Sequence, residues 1–146
     1  MPNYLGVDYG TKRIGLAWAD DLGIALPIGA FPGVDDPSYL EKFREVFEQK
    51  KINEIIVGYP IHMDGTVGLR AKEVDVFIKM LEEEFKIPVY RVDERLTSLA
   101  AEQAMGKQSA KKKKQNLGKI DASAAGLILR DFIENRNVIP APVIIE

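Results

Sequence analysis

Three short apolar segments crowd the first 31 residues of the chain, and the links between them limit how they can pair. Tyr4–Tyr9, Arg13–Ala19 and Ile24–Phe31 each have the length and composition of a β-strand. Only Gly10-Thr11-Lys12 joins the first two, and so short a link containing glycine suits a hairpin turn. Pro27 cannot donate to a ladder, so the third strand should lie at a sheet edge or carry a bulge. We therefore predict an antiparallel meander of three strands.

Helices and strands alternate after the meander, which is typical of parallel strand pairing. Asp36 and Pro37 mark the start of a helix, with Asp36 as its N-cap and Pro37 at its first helical position. Apolar residues recur at helical spacing between Val74 and Phe85, which predicts a second helix. Further strands are predicted at Ile52–Val57 and at Pro88–Val92. The middle of the chain therefore predicts the order helix, strand, helix, strand.

The last third of the chain predicts two more helices. One begins at Thr97 or Ser98 and fades at Gly106, and residues 107–117 lack apolar periodicity, which predicts a mobile loop or a poorly formed helix. The other helix, Ile120–Ile133, is apolar nearly all round and should be buried. The prolines of the tail, Ile139–Pro142, predict an extended segment.

The complete order is β-β-β-α-β-α-β-α-α. It predicts a single α/β domain over residues 1–146, with a mixed sheet of three antiparallel strands followed by parallel strands, and helices on both faces.

Composition narrows the class of protein further. The chain has 46% hydrophobic and 29% charged residues, which is ordinary for a water-soluble domain. It has no cysteine, which excludes disulfides and thiolate metal sites and agrees with a cytoplasmic location. No signal peptide and no apolar run of the ~18 residues that span a bilayer is visible, so we expect no membrane partner.

Acidic residues stand at the ends of three predicted core elements. Asp8 ends an apolar strand, where it could cap the hairpin turn or bind a metal at the mouth of the sheet. Asp93 and Glu94 follow the fifth strand, where α/β sheets place ligands. The pleat sends these two side chains to opposite faces, so only one can share a site with Asp8, and the pattern leaves open which one. Asp121 opens the last helix, where it could simply complement the helix dipole.

Together these acids predict a site for a hard divalent cation. Mg²⁺ and Mn²⁺ prefer oxygen ligands, and metal ions held by carboxylates stabilise the attacking and leaving oxygens in phosphodiester displacement. The acids therefore predict phosphate-transfer chemistry.

Positive charge is concentrated near these acids although the net charge is −2. No acidic residue occurs from Gln103 through Ile120, and this window contains the run Lys111, Lys112, Lys113 and Lys114. The run could be a solvated charged segment, or it could bind a phosphate backbone. Further basic residues flank the candidate site and could contact phosphates or form surface ion pairs: Lys12, Arg13, Arg70 and Arg95.

Four motifs in this order resemble those of the YqgF/RuvX-type family. They are Gly6-Val-Asp-Tyr-Gly-Thr-Lys-Arg-Ile-Gly15, Val57-Gly-Tyr-Pro with Met63-Asp-Gly-Thr66, Asp93-Glu-Arg-Leu-Thr97 and Lys119-Ile-Asp-Ala-Ser-Ala-Ala125. The resemblance covers nearly the whole chain. Tyr59 and His62 depart from the family pattern, which usually has an aliphatic and a small polar residue there.

The resemblance implies a ribonuclease-H-like fold, similar to that of Holliday-junction resolvases. It implies a bacterial cytoplasmic nuclease with the acidic triad Asp8, Glu94 and Asp121, and it therefore favours Glu94 over Asp93. The implied substrate is structured nucleic acid, with processing of the 5′ end of pre-16S ribosomal RNA as the main expectation. The chain would act as a monomer or a homodimer.

Three other functions stay open at this stage. The chain could resolve four-way DNA junctions, or bind nucleic acid without cutting it. Asp8-x-Gly10-Thr11 also resembles the phosphate-binding hairpin of actin-like and sugar-kinase folds. The chain could therefore be a phosphotransferase or an ATPase. Those enzymes hold ATP between two related domains, whereas this chain predicts one domain and no internal repeat, which disfavours this third function.

Overall fold

A computed structural model of the chain describes residues 3–20, 22–61, 65–93, 124–134 and 138–139. The strands within them are β1 (Tyr4–Asp8), β2 (Arg13–Ala19), β3 (Leu26–Pro32), β4 (Glu54–Tyr59), β5 (Val89–Asp93) and β6 (Val138–Ile139). The helices within them are α1 (Tyr39–Gln49), α2 (Leu69–Phe85) and α3 (124–133).

The strands form one mixed sheet with the order β3-β2-β1-β4-β5-β6. Strands β1, β2 and β3 pair antiparallel, as the short hairpin link predicts. Strand β1 pairs parallel with β4, and β4 pairs parallel with β5, because a helix crosses over between the sequential strands β4 and β5. The α/β fold with its mixed sheet is therefore confirmed.

Strand β3 lies at the edge of the sheet, and its ladder is irregular at the proline. Leu16 pairs with Gly29 whereas Ala17 pairs with Pro27, so Ile28 is an extra residue in β3. Pro27 lacks a backbone N–H, and an edge strand with a bulge tolerates that loss. The sequence predicted an edge position or a bulge, and the structure has both.

Helix α1 begins later than the sequence predicts, at Tyr39 with Ser38 as its N-cap. The predictions of Asp36 as N-cap and of Pro37 at the first helical position were wrong, because the Asp36 carboxylate closes a local turn instead. Its Oδ1 accepts hydrogen bonds from the backbone N–H and the hydroxyl of Ser38, at 2.9 and 2.8 Å. This local bonding competes with the helix and keeps residues 36–38 in a turn.

Helices cover both faces of the sheet, as predicted. On the first face, Leu5 and Val7 of β1 belong to a core that packs against α1 and α2. On the second face, Ile56 and Val92 pack against α3. Successive residues of a strand point to opposite faces, so Gly6 lies between the two core residues of β1 and faces α3.

Helix α3 runs antiparallel to β1. The ring of Phe132, near the end of α3, lies 5.9 Å from the ring of Tyr4, at the start of β1. A Cβ on Gly6, in the middle of β1, would lie 2.7 Å from the carbonyl oxygen of Ala125. The beginning of α3 therefore lies toward the Asp8 end of the strand.

Strand β6 is an addition that the sequence did not predict. Val138 and Ile139 pair antiparallel with Val92 and Arg91 of β5. Two residues are too few to show an alternating pattern, and the nearby prolines predicted only an extended tail. The predicted helix from Thr97 or Ser98, the segment 107–117 and residues 120–123 of the last helix lie outside the described residues.

Candidate active site

Asp8 is the last residue of β1 and lies at the carboxyl ends of the parallel strands. This carboxyl edge of the sheet is not the lateral edge that strand β3 forms. Because β1, β4 and β5 are parallel, their terminal residues Asp8, Tyr59 and Asp93 lie along one edge. Ligands of open α/β sheets bind at this edge. The fold therefore places the half-buried Asp8 where the sequence predicted a catalytic carboxylate.

A cavity of about 330 Å³ opens beside Asp8. Its wall consists of the hairpin loop after β1 and one side chain from α2, and the residues are Asp8, Tyr9, Gly10, Thr11, Lys12, Arg13 and Arg70. A second hollow of about 220 Å³ shares Asp8, Tyr9 and Arg70 with it and extends to Gly58 and Pro60 after β4. One carboxylate is thus combined with three basic residues around an open space of ligand size.

The hairpin loop has a conformation that requires glycine at its start. A Cβ on Gly10 would lie 2.0 Å from the carbonyl oxygen of Arg13, which no side chain could occupy. The loop is also held from outside, because the backbone N–H groups of Gly33 and Asp35 donate to the carbonyls of Lys12 and Thr11, at 3.0 and 2.9 Å. The backbone that carries Lys12 and Arg13 is therefore fixed, while both side chains remain exposed.

Arg70 is held beside the cavity by Tyr9 and Glu73. Its guanidinium lies 4.9 Å from the centre of the Tyr9 ring, and Nη2 donates to the Tyr9 carbonyl at 3.4 Å. Nη1 lies 3.3 Å from Oε2 of Glu73. Burial raises the pKa of the Tyr9 phenol, and Glu73 raises it further. Tyr9 therefore acts as a neutral aromatic support for a guanidinium that stays half-exposed and available to a phosphate.

The register of the sheet separates Asp93 from Asp8. Val92 packs on the α3 face of the sheet. Its neighbour Arg91 points to the other face, where it bonds to Asp75 of α2. Asp93 pairs with Tyr59, a core residue of that same α2 face. Asp93 is 5% exposed on this α2 side. Asp8 falls on the α3 side by the alternation that places Gly6 there. Asp93 therefore does not share a face with Asp8.

The structure brings four of the predicted site residues together: Asp8, Lys12, Arg13 and Arg70. The other predicted site residues lie outside the described residues, namely Glu94, Arg95, Lys111, Lys112, Lys113, Lys114 and Asp121. Among the residues that the structure describes, no three histidine or carboxylate side chains group as a metal site.

Two features of this edge were missed in the sequence. One is the support of Arg70 by Tyr9, and the other is a buried contact of Asp75 with Tyr59 and Arg91. Tyr59 at a strand end was a visible departure from the family pattern. Nothing in the helical pattern distinguished Asp75 from other acids of α2, because its partners are distant in sequence.

In the part of the chain that the structure describes, no helix has the length and apolar character needed to cross a membrane.

Comparison with known proteins places the chain in a family. The family model RuvX, described as Holliday junction resolvase, matches residues 2–135. A relative from Opitutus terrae, provisionally named a pre-16S rRNA nuclease, is 40% identical over 139 residues, covering 94% of this chain and 95% of the relative. A relative from a Geobacillus species with the same provisional name is 39% identical over 137 residues, covering 90% of this chain and 97% of the relative.

A solved structure shares the fold. It is RuvC of Thermus thermophilus in complex with a Holliday junction substrate, with a TM-score of 0.51 and 14% identity, covering 93% of this chain and 96% of that one. This likeness confirms the ribonuclease-H-like fold. The extent of the family match and the identity to the two relatives show that the chain belongs to the RuvX family.

Proposed function

We propose that this chain is a single-domain, metal-dependent nuclease that hydrolyses phosphodiester bonds in structured nucleic acid. The observation that carries the proposal is Asp8, at the carboxyl edge of the sheet, beside a cavity walled by Lys12, Arg13 and Arg70. A carboxylate among basic residues suits a substrate that carries phosphates and needs a cation. Membership in a family described as resolvases supports the same chemistry.

Asp8, Glu94 and Asp121 are the residues we propose as ligands of Mg²⁺ or Mn²⁺. Strand alternation supports Glu94, because the position after Asp93 falls on the face of Asp8 if the alternation continues by one residue. The direction of α3 supports Asp121. Ala125 lies against Gly6, and a helical turn before it leads toward the Asp8 end of β1.

The carboxylate oxygens of these three residues fit a hard divalent cation. Such an ion, when bound, activates a water molecule and stabilises the charge of the attacked phosphate. Asp8 would hold such an ion from the rigid end of a core strand, and Glu94 and Asp121 would complete the ligand set. Rigid strand ends suit this role because catalytic groups must keep their geometry.

The basic residues bind the phosphate backbone in this proposal. Arg70, held on the Tyr9 ring, presents a guanidinium that bonds phosphate oxygens in a planar geometry. Lys12 and Arg13, which also line the cavity, add positive charge from the hairpin loop. Further contacts to the phosphate backbone of the nucleic acid would come from Arg95 and from the run Lys111, Lys112, Lys113 and Lys114. Their binding would release counterions from the nucleic acid.

For the substrate, we propose the 5′ end of pre-16S ribosomal RNA, after the provisional name of the relatives. Such a substrate implies work in the cytoplasm. A second candidate is the four-way DNA junction, which the family description and the shared fold favour. Cutting a junction at two equivalent points would need a homodimer, whereas cutting one RNA strand needs only a monomer.

The test is cleavage of both substrates by the pure protein, with Mg²⁺, with Mn²⁺ and with a chelator. Asp8→Asn keeps the size of the side chain and removes its charge, so we expect cleavage to fall to the level seen with chelator. Asp20→Asn is the control, because Asp20 follows β2 at the opposite edge of the sheet. Wild-type activity in Asp8→Asn would refute the proposed site. Binding without cleavage in the wild type under all metal conditions would show a non-catalytic binding module.

A further inference from the structure

One carboxylate of α2 joins the ends of two neighbouring strands on the face opposite Asp8. Oδ2 of Asp75 accepts a hydrogen bond from the Tyr59 hydroxyl at 2.9 Å, and Oδ1 accepts one from Nε of Arg91 at 3.2 Å. The Arg91 guanidinium also lies 5.8 Å from the centre of the Tyr59 ring. We call these three residues the strand-end brace.

The brace is largely shielded from water. Tyr59 is 6% exposed and the Arg91 side chain 9%, whereas Asp75 reaches the surface with 31%. A buried guanidinium needs a charged partner, and Asp75 supplies one for Arg91. Burial, followed by the hydrogen bond to Asp75, raises the pKa of Tyr59 to about 12. The phenol therefore remains a hydrogen-bond donor over the whole range in which enzymes are assayed.

The position of the brace relates it to the active site. Tyr59 ends β4 and pairs with Asp93, the last residue of β5, while Arg91 lies two residues earlier on the same face of β5. Both ends are tied to α2 through Asp75. The residue that follows Asp93 is Glu94, so the brace holds the backbone immediately before this proposed metal ligand.

We propose that Tyr59, Asp75 and Arg91 are positioning residues that set how the chain leaves β5 and thereby where the Glu94 carboxylate lies. This inference rests on the proposed role of Glu94. None of the three is a metal ligand here, since they act from the opposite face of the sheet. Residues that orient metal ligands typically change metal affinity or activity by 10- to 100-fold when replaced.

The experiment compares Asp75→Asn with Glu84→Gln. Glu84 lies on the same helix, is 34% exposed and bonds Arg44, so the control removes an equivalent carboxylate charge away from the strand ends. Mn²⁺ binding is measured by calorimetry on the full-length protein without nucleic acid, and kcat and KM are measured on whichever substrate the wild type cleaves. We expect Asp75→Asn to weaken Mn²⁺ binding and lower kcat, each by about 10-fold or more, with KM unchanged. Glu84→Gln should leave all three within about twofold of the wild type.

Tyr59→Phe is the second variant, for use if Asp75→Asn does not fold. It removes a single hydroxyl and keeps the packed ring. Two results in a folded Tyr59→Phe protein would support the proposed role of the brace. These are a weaker Mn²⁺ affinity and a lowered kcat that added Mn²⁺ partly restores. Wild-type Mn²⁺ affinity and kcat in either folded variant would overturn it. If Asp8→Asn is inactive and the brace variants behave as wild type, only this inference fails. If Asp8→Asn is fully active, the proposed site and this inference fail together.

Discussion

Gly6→Ala would place a methyl group where helix α3 touches strand β1. The added Cβ would lie 2.7 Å from the carbonyl oxygen of Ala125 and 2.7 Å from Cβ of Leu129. Ordinary carbon contacts lie at ~3.5–4.0 Å, so the helix would have to withdraw from the sheet by roughly 1 Å. Neither obstacle is the far end of a flexible side chain, because one is backbone and the other is a Cβ.

The cost follows from this forced movement. Adding a methylene to a packed core destabilises by ~1–3 kcal/mol. Replacing glycine inside a strand returns ~0.5–1 kcal/mol, because the unfolded chain loses freedom. We therefore expect Gly6→Ala to lower the free energy of unfolding by about 1–2 kcal/mol. It should also lower kcat, because α3 follows the proposed ligand Asp121 in the chain.

The assay is urea unfolding, with the slope of the transition checked to remain unchanged. Gly126→Ala is the matched control, since it adds the same methyl group to α3 where the helix faces strands β2 and β3 of the same sheet. Its Cβ would lie 3.7 Å from Cγ of Pro27 and 4.0 Å from Cβ of Ala17, both ordinary contacts. Alanine also favours the helix by up to ~1 kcal/mol, so this variant should be as stable as the wild type or more stable. If Gly6→Ala proved as stable as Gly126→Ala, the close approach of α3 to β1 would be refuted.

Two further predictions concern the edge of the sheet. Arg70→Ala should weaken nucleic-acid binding and reduce the slope of log affinity against log salt by about 1. The control Arg44→Ala, whose side chain has the same 48% exposure, should leave that slope unchanged. Equal slopes in both variants would contradict the role of Arg70. Tyr59 keeps its proton up to about pH 12 when folded but loses it near pH 10 when unfolded, so its contribution to stability is complete below pH 10 and disappears as the pH rises to about 12. Tyr59→Phe should therefore make the loss of stability across that interval shallower in unfolding measurements at a series of pH values, and an unaltered loss would argue against the buried phenol.

Local patterns predicted most of the sheet because they depend on neighbours in sequence. The three-residue link after Asp8 could only be a tight turn, and Pro27 could only be accommodated at an edge or a bulge, and both are found. The start of α1 was misplaced for a local reason as well. Asp36 bonds Ser38 in a turn, and a cap and a turn use the same side-chain oxygen in a similar way.

The face on which Asp93 lies is something that the residues themselves could not decide. The sequence left Asp93 and Glu94 as alternatives, and only the pairing of Asp93 with Tyr59 and the contact of Arg91 with Asp75 show that Asp93 lies on the α2 face. The support of Arg70 by Tyr9 is equally invisible in sequence, since 61 positions separate the two residues.

The sequence by itself therefore determined the order of elements from β1 to β5, the antiparallel meander and an acid at the end of the first strand, because each follows from periodicity, turn length and side-chain chemistry within a few residues. Only the tertiary structure decided which face Asp93 occupies, how closely α3 approaches Gly6 and what holds Arg70 and the end of β5. These features depend on register and on helix placement, which many residues distant in sequence set together by packing.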